Sequence, residues 1–259
     1  KILISDHKKS YEIAKAQGDV IGMLVIKGAE ITRQKPLGHL NALFIQDANK
    51  LERPDAIEAI DEAMKQGGFI LWNHPGWPDD KSTMYPIHRE LIEKQKIHGI
   101  EVFNGWEAYP KVIDWCQEFN LAPISNSDIH YTSANLYRGK LMRPMTLVFA
   151  KDYTEQGVKD AMFSGRTLAF YNNVLSGDEG LLKSLIKASL SVRVINEKNG
   201  MIEITNLSDI AYEIKYGEYM YPMPLYPNQV LRATIPTSTD VEFSNCICGK
   251  DRHITLKLW

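Results

Sequence analysis

Short β-branched, apolar runs alternate with segments of helical period along most of this chain, and that alternation limits the fold more than any other feature. Met23–Ile31 and Leu40–Ile45 read as strands. Pro54 opens a helix in which Ile57, Ile60 and Met64 recur at helical spacing, and Gly67-Gly68 stops it. Phe69–Trp72, Ile100–Phe103, Leu121–Ser125, Met145–Ala150 and Thr167–Tyr171 are further strands. Helices are expected over Pro86–Lys96, Pro110–Phe119, Thr154–Phe163 and Leu181–Ala188. Strands separated by helices of about 10–15 residues argue for α/β architecture with a parallel sheet, here closed into a barrel. In such barrels the chemistry sits beyond the carboxyl ends of the strands.

From about Leu190 the pattern changes. Ser191–Ile195, Met201–Ile204, Tyr212–Tyr216, Val230–Ile235, Val241–Phe243 and Ile254–Trp259 are short strands parted by turn signals such as Asn199-Gly200 and Pro227-Asn228. No helix of useful length intervenes. The expected division is a barrel unit over 1–189 and a small all-β, sandwich-like unit over 190–259. Lys1-Ile2-Leu3-Ile4 reads as the middle of a fold, so the barrel is expected to be incomplete at its amino end, and compartment cannot be read from the sequence.

Thirty basic and thirty-two acidic side chains leave a formal charge of −2, which gives no sign of a nucleic-acid or anionic-membrane partner. No run approaches the roughly 18 apolar residues of a membrane span. Cys246 and Cys248 alternate with Ile247 in a strand-like run without a second pair nearby, so a structural role is expected for them.

Residues of metal-ligand type gather at the edges of the strands. They are Glu30, His39, His74, Asp128 and His130, and none of them falls within an expected helix. Imidazole and carboxylate suit Zn²⁺, Mn²⁺ or Fe²⁺, and a carboxylate such as Glu30 can bridge two ions. Asp128 and His130, two apart in extended chain, point the same way. Each has a plainer alternative as a cap, a turn residue or a solvated strand end. Their joint placement carries the metal reading.

Gly28-Ala29-Glu30-Ile31-Thr32, Gly38-His39-Leu40-Asn41-Ala42-Leu43, Asn73-His74-Pro75-Gly76, Gly99-Ile100-Glu101-Val102 and Ser127-Asp128-Ile129-His130 resemble, in order and spacing, the later motifs of the PHP (polymerase and histidinol phosphatase) domain family. The resemblance spans about Leu24 to Tyr171 and is nearest to a branch with an appended carboxyl-terminal β-domain. It implies a distorted (β/α)7 barrel with two or three divalent ions (Zn, Mn or Fe) at its mouth. By matching motifs, Glu30, His39, His74, Asp128 and His130 would be the ligands. Asp128, His130 and His74 would then carry catalysis through the metal centre. The implied reaction is hydrolysis of a small-molecule phosphate ester by metal-activated water. PHP domains begin with a His-x-His strand, which occurs nowhere in this sequence. Ser5-Asp6-His7 resembles a second, acidic motif, but His7 is read instead as a helix-entry residue, with Asp6 or Ser10 as cap.

Other groups rank lower. Trp72, Trp77, Trp106 and Tyr131 fall near the expected mouth. Of the loop cations Arg33, Lys35, Arg138 and Arg143, the last two are the candidates to hold a phosphate. Two competing functions remain: an amidohydrolase that uses the same ligands on C–N or carboxylic ester bonds, and an inactive binding module with a decayed barrel that recognises a partner or glycan through the β-unit.

Overall fold

A computed structural model describes residues 6–77, 79–132, 142–218 and 221–259. The first segment is a helix, α1 (Lys9–Ile21), followed by strands β1 (Gly28–Thr32) and β2 (His39–Leu43). His7 lies just ahead of α1; Asp6 accepts a hydrogen bond from the Lys8 N–H, and Ser10 plays no capping part. Next come α2 (Ala56–Lys65), β3 (Phe69–Trp72), α3 (Pro86–Glu93), β4 (Gly99–Asn104), the short β5 (Glu107–Ala108), α4 (Pro110–Glu118) and β6 (Ala122–Asn126). The second half holds β7 (Met145–Val148), α5 (Glu155–Phe163), β8 (Thr167–Tyr171), β9 (Val174–Gly177) and α6 (Glu179–Ser189). The remaining strands are β10 (Leu190–Asn196), β11 (Met201–Asn206), β12 (Tyr212–Lys215), β13 (Met223–Leu225), β14 (Val230–Thr234), β15 (Val241–Gly249) and β16 (Arg252–Leu256).

The first sheet has six strands and is mixed, which corrects the expectation of parallel pairing throughout. β1, β2 and β3 pair antiparallel, whereas β3–β4 and β4–β6 pair parallel. β3 and β4 are buried at every position, as strands covered on both faces must be. α2 supplies one cover. Asp55 caps it by accepting from the Glu58 N–H, and Ala59, Ile60 and Ala63 form its buried stripe. α4 buries Val112, Ile113 and Cys116 in the same core.

β7, β8 and β9 do not join this sheet by backbone pairing. They belong to a seven-stranded sheet with β12, β13, β15 and β16, in which β9 runs parallel to β15. Thus one sheet crosses position 190, where the two units were expected to part. Side chains link the two sheets: Ser125 Oγ donates to the Phe170 carbonyl, and Thr146 Oγ1 donates to the Ser125 carbonyl. β10, β11 and β14 make a separate three-stranded antiparallel sheet. Cys246 and Cys248 are buried in the second core with free thiols, the structural role expected of them.

His98 pins β3 to the start of β4. Its backbone N–H donates to the Ile70 carbonyl, and its Nδ1 accepts from the Ile70 N–H at 2.9 Å. Burial pushes its pKa from 6.5 down to about 4, because protonation would take away the acceptor and place a charge among apolar groups. The unfolded chain therefore binds this proton at higher pH than the folded one, and stability is lost as pH falls from 6.5 towards 4. We expect about 3 kcal/mol of destabilisation from this residue across that window. Urea unfolding as a function of pH checks this: His98→Gln, which keeps an acceptor and cannot titrate, should flatten the acid limb, and an unchanged limb would contradict the assignment.

Candidate metal centre

The five strand-edge residues singled out from the sequence line a single cavity. Glu30, His39, His74, Asp128 and His130 surround a space of about 790 Å³ together with Trp77, Trp106, Tyr109 and Tyr131. They arrive from four pieces of the fold. Glu30 stands in the middle of β1, opposite Asn41, and His39 opens β2 opposite Thr32. Residues two apart on a strand share a face, so His39 and Glu30 are diagonal neighbours, with Nδ1 and Oε1 3.1 Å apart. Thr32 Oγ1 also donates to Glu30 Oε1.

His74 lies two residues past β3, in a turn closed by the Trp77 N–H on the His74 carbonyl. The turn is seated on two sides: the Asn73 N–H donates to the His39 carbonyl, and Gly76 packs so closely on Tyr109 that a Cβ there would stand 2.5 Å from Cε1. The rings of His39 and His74 meet edge to face, with centroids 4.9 Å apart. Burial, and then the neighbouring His39, hold the His74 imidazole below the usual histidine range. Its Nδ1 is buried without a hydrogen-bond partner.

Asp128 and His130 follow β6 and are exposed at the cavity rim. His130 Nδ1 donates to the Asp128 carbonyl at 2.8 Å, which in the neutral ring leaves the Nε2 lone pair for a ligand. Both His74 (φ 27°) and Asp128 (φ 47°) take left-handed backbone conformations that non-glycine residues avoid. Such strain costs about 1–3 kcal/mol each and concentrates at functional sites.

The donor types, their convergence and the unpartnered His74 nitrogen fit a divalent cation. Among the described residues, no three His, Cys, Asp or Glu side chains already close on one point as a coordination set. The remaining candidates fall elsewhere. Trp72, expected near the mouth, is buried and stacks on His88 with centroids 3.8 Å apart, because β3 is covered on both faces. Arg33 binds the Thr32 and Arg53 carbonyls and Lys35 reaches Asp79. Arg143 is exposed and does not line the cavity, and Arg138 lies outside the described residues.

Sequence reasoning gave no role to Glu101, which the structure places beneath the site. Its side chain is wholly buried, Oε2 accepting from the His74 N–H (2.5 Å) and Asn104 Nδ2 (2.8 Å), and Oε1 from Asn126 Nδ2 (2.7 Å). One carboxyl group thus ties together the carboxyl ends of β3, β4 and β6. Burial pushes its pKa up to about 7 against the opposing pull of these three donors. The signal was present: a Glu inside the apolar run Gly-Ile-Glu-Val-Phe must be either a surface kink or a buried, fully partnered charge.

No protein-family model and no curated protein matches the chain. A solved structure does: the two-domain protein containing a predicted PHP-like metal-dependent phosphoesterase from Bacteroides vulgatus ATCC 8482. It superposes with a TM-score of 0.90 at 33% identity, over 99% of this chain and 81% of that one. The fold is therefore mixed α/β and similar to that of this two-domain protein. The chain belongs to the PHP-like family that this structure represents.

Removing the Glu101 carboxyl would leave buried donors unpaired, so Glu101→Ala should cost about 3 kcal/mol or more in urea unfolding. Glu118→Ala, on the exposed side of α4, should stay within about 0.5 kcal/mol. Equal effects would show that the Glu101 bonds hold nothing together.

Proposed function

We propose that the chain is a metal-dependent phosphoesterase that hydrolyses a small-molecule phosphate ester. The observation that carries this reading is the meeting of Glu30, His39, His74, Asp128 and His130, from both ends of the first sheet, around one cavity. Its volume of about 790 Å³ is that of a small-molecule site. Membership in a family with a predicted metal-dependent phosphoesterase relative supports the reaction type. No described helix is long and apolar enough to cross a membrane.

The residues that would hold two or three divalent ions (Zn, Mn or Fe) are those five. Ions bound there supply Lewis acidity towards phosphoryl oxygen and lower the pKa of water. The chain's own part is to keep the donors ready. Burial keeps His74 neutral, so its nitrogen lone pair stays available. The Asp128 carbonyl orients His130 by accepting from its Nδ1, and the Glu30 carboxylate stands 3.1 Å from His39 Nδ1. Glu101 fixes the His74 backbone, and Trp77 packs against the His39 ring. The six-stranded sheet, handed on to β7 and β8 through Ser125, supports the reading of a distorted seven-stranded PHP barrel over 1–189, with the β-unit of 190–259 sharing its last strands.

Full chain supplied with Mn²⁺ or Zn²⁺ should hydrolyse an aryl phosphate ester, and His74→Ala or Asp128→Ala should lower kcat/KM by about 100-fold or more while the circular dichroism spectrum is kept. Amides and lactones in the same assay separate this reading from an amidohydrolase. Undiminished activity in both variants would remove the proposed centre.

A further inference from the structure

Three loops each place a large, exposed aromatic side chain in the wall of the same cavity. Trp77 (42% exposed) follows β3, Trp106 (53%) sits in the turn between β4 and β5, and Tyr131 (72%) follows β6. Burying such rings in a core is the usual outcome; convergence of exposed ones on one cavity marks a surface for a ligand. Trp77 is the innermost, its ring 4.5 Å from that of His39 and 5.7 Å from that of His74. A group lying on its face would thus be within one residue's width of the donor cluster.

The charges in the wall narrow the ligand further. Glu30 and Asp128 are spoken for as candidate ion ligands; beyond them the wall carries the acidic Glu107, and no Lys or Arg among the described residues lines the cavity. A chain of several phosphates reaching past the ions would meet the Glu107 carboxylate and, among the described residues, no Lys or Arg to offset its charge. A compact ester, with its single phosphate at the donor cluster and an uncharged body, would not. Flat-faced rings gain most from tryptophan, through stacking that tolerates differences in ring identity.

We propose, resting on the phosphoesterase reading above, that the cavity selects its substrate by the alcohol part. The preferred ester is a phosphate monoester of an uncharged, ring-bearing alcohol stacked on Trp77, with Trp106 and Tyr131 completing the slot. Esters of small acyclic alcohols lack this contact and bind less well.

Phosphonates test this without turnover, since their P–C bond is not a substrate for ester hydrolysis. Titration calorimetry on the full, Mn²⁺-supplied chain should give phenylphosphonate about tenfold or more higher affinity than methylphosphonate. Trp77→Ala should bring the phenyl compound down to the methyl level, and Trp77→Phe, which keeps a ring, should retain most of the preference. Cyclohexylphosphonate separates planar from saturated rings: affinity near that of the phenyl compound assigns the slot to ring faces in general, and affinity near that of the methyl compound restricts it to aromatic rings. Equal binding of phenyl and methyl compounds, or a preference untouched in Trp77→Ala, would overturn the proposal while leaving the phosphoesterase reading intact. Failure of both phosphonates to bind, with no hydrolysis of phenyl phosphate or methyl phosphate, would overturn both.

Discussion

The buried carboxyl group of Glu101 is the joint on which the rest of the site depends. Strands β3, β4 and β6 end side by side, and each end must turn away without leaving its polar groups unpaired. Glu101 meets that need for all three by accepting from the His74 backbone and from the Asn104 and Asn126 amides. A second tie, from the Gly105 N–H to the Asn126 carbonyl, holds the β4 and β6 ends together. The loops bearing the candidate ligands are therefore anchored to a rigid sheet, although their tips are exposed.

That anchoring explains how the strained positions persist. His74 and Asp128 hold positive φ values that a free loop would relax. In His74 the backbone is fixed from below by Glu101 and from the side by the Tyr109 ring on Gly76. The imidazole of His74, held in this turn, meets the His39 ring edge to face. Strand geometry does the same work more simply on the other side, where the diagonal register of β1 and β2 brings Glu30 to His39.

Much of this was legible in the sequence. Phe69–Trp72 and Thr167–Tyr171 appear at their expected bounds because each is a short apolar run closed by turn-forming residues. The candidate site residues stood out because metal-type side chains at the edges of β1, β2, β3 and β6 are hard to explain one by one. The mixed direction of the first sheet was only partly so. The link from Thr32 to His39 is too short for a crossover, which needs about a dozen residues, and so announces an antiparallel pair. The link from β2 to β3 contains α2 and would suit a parallel pair equally well, yet it is antiparallel. Short β9 and β13 carried too little pattern to be seen, and the sharing of β7–β9 with the carboxyl-terminal strands is a long-range pairing that no local period records. Glu101 was visible as an anomaly, but two of its three partners, His74 beyond β3 and Asn126 at the end of β6, are brought to it only by the fold.

The central claim is spatial: side chains from β1, β2 and the ends of β3 and β6 form one cation site. Anomalous diffraction from crystals of the protein grown with Zn²⁺ tests it most directly. The account predicts a peak inside the cavity, within coordination distance of His74 and at least one of His39, Asp128 and His130. Zinc found only on remote surface residues, with that cavity empty of anomalous signal, would contradict it.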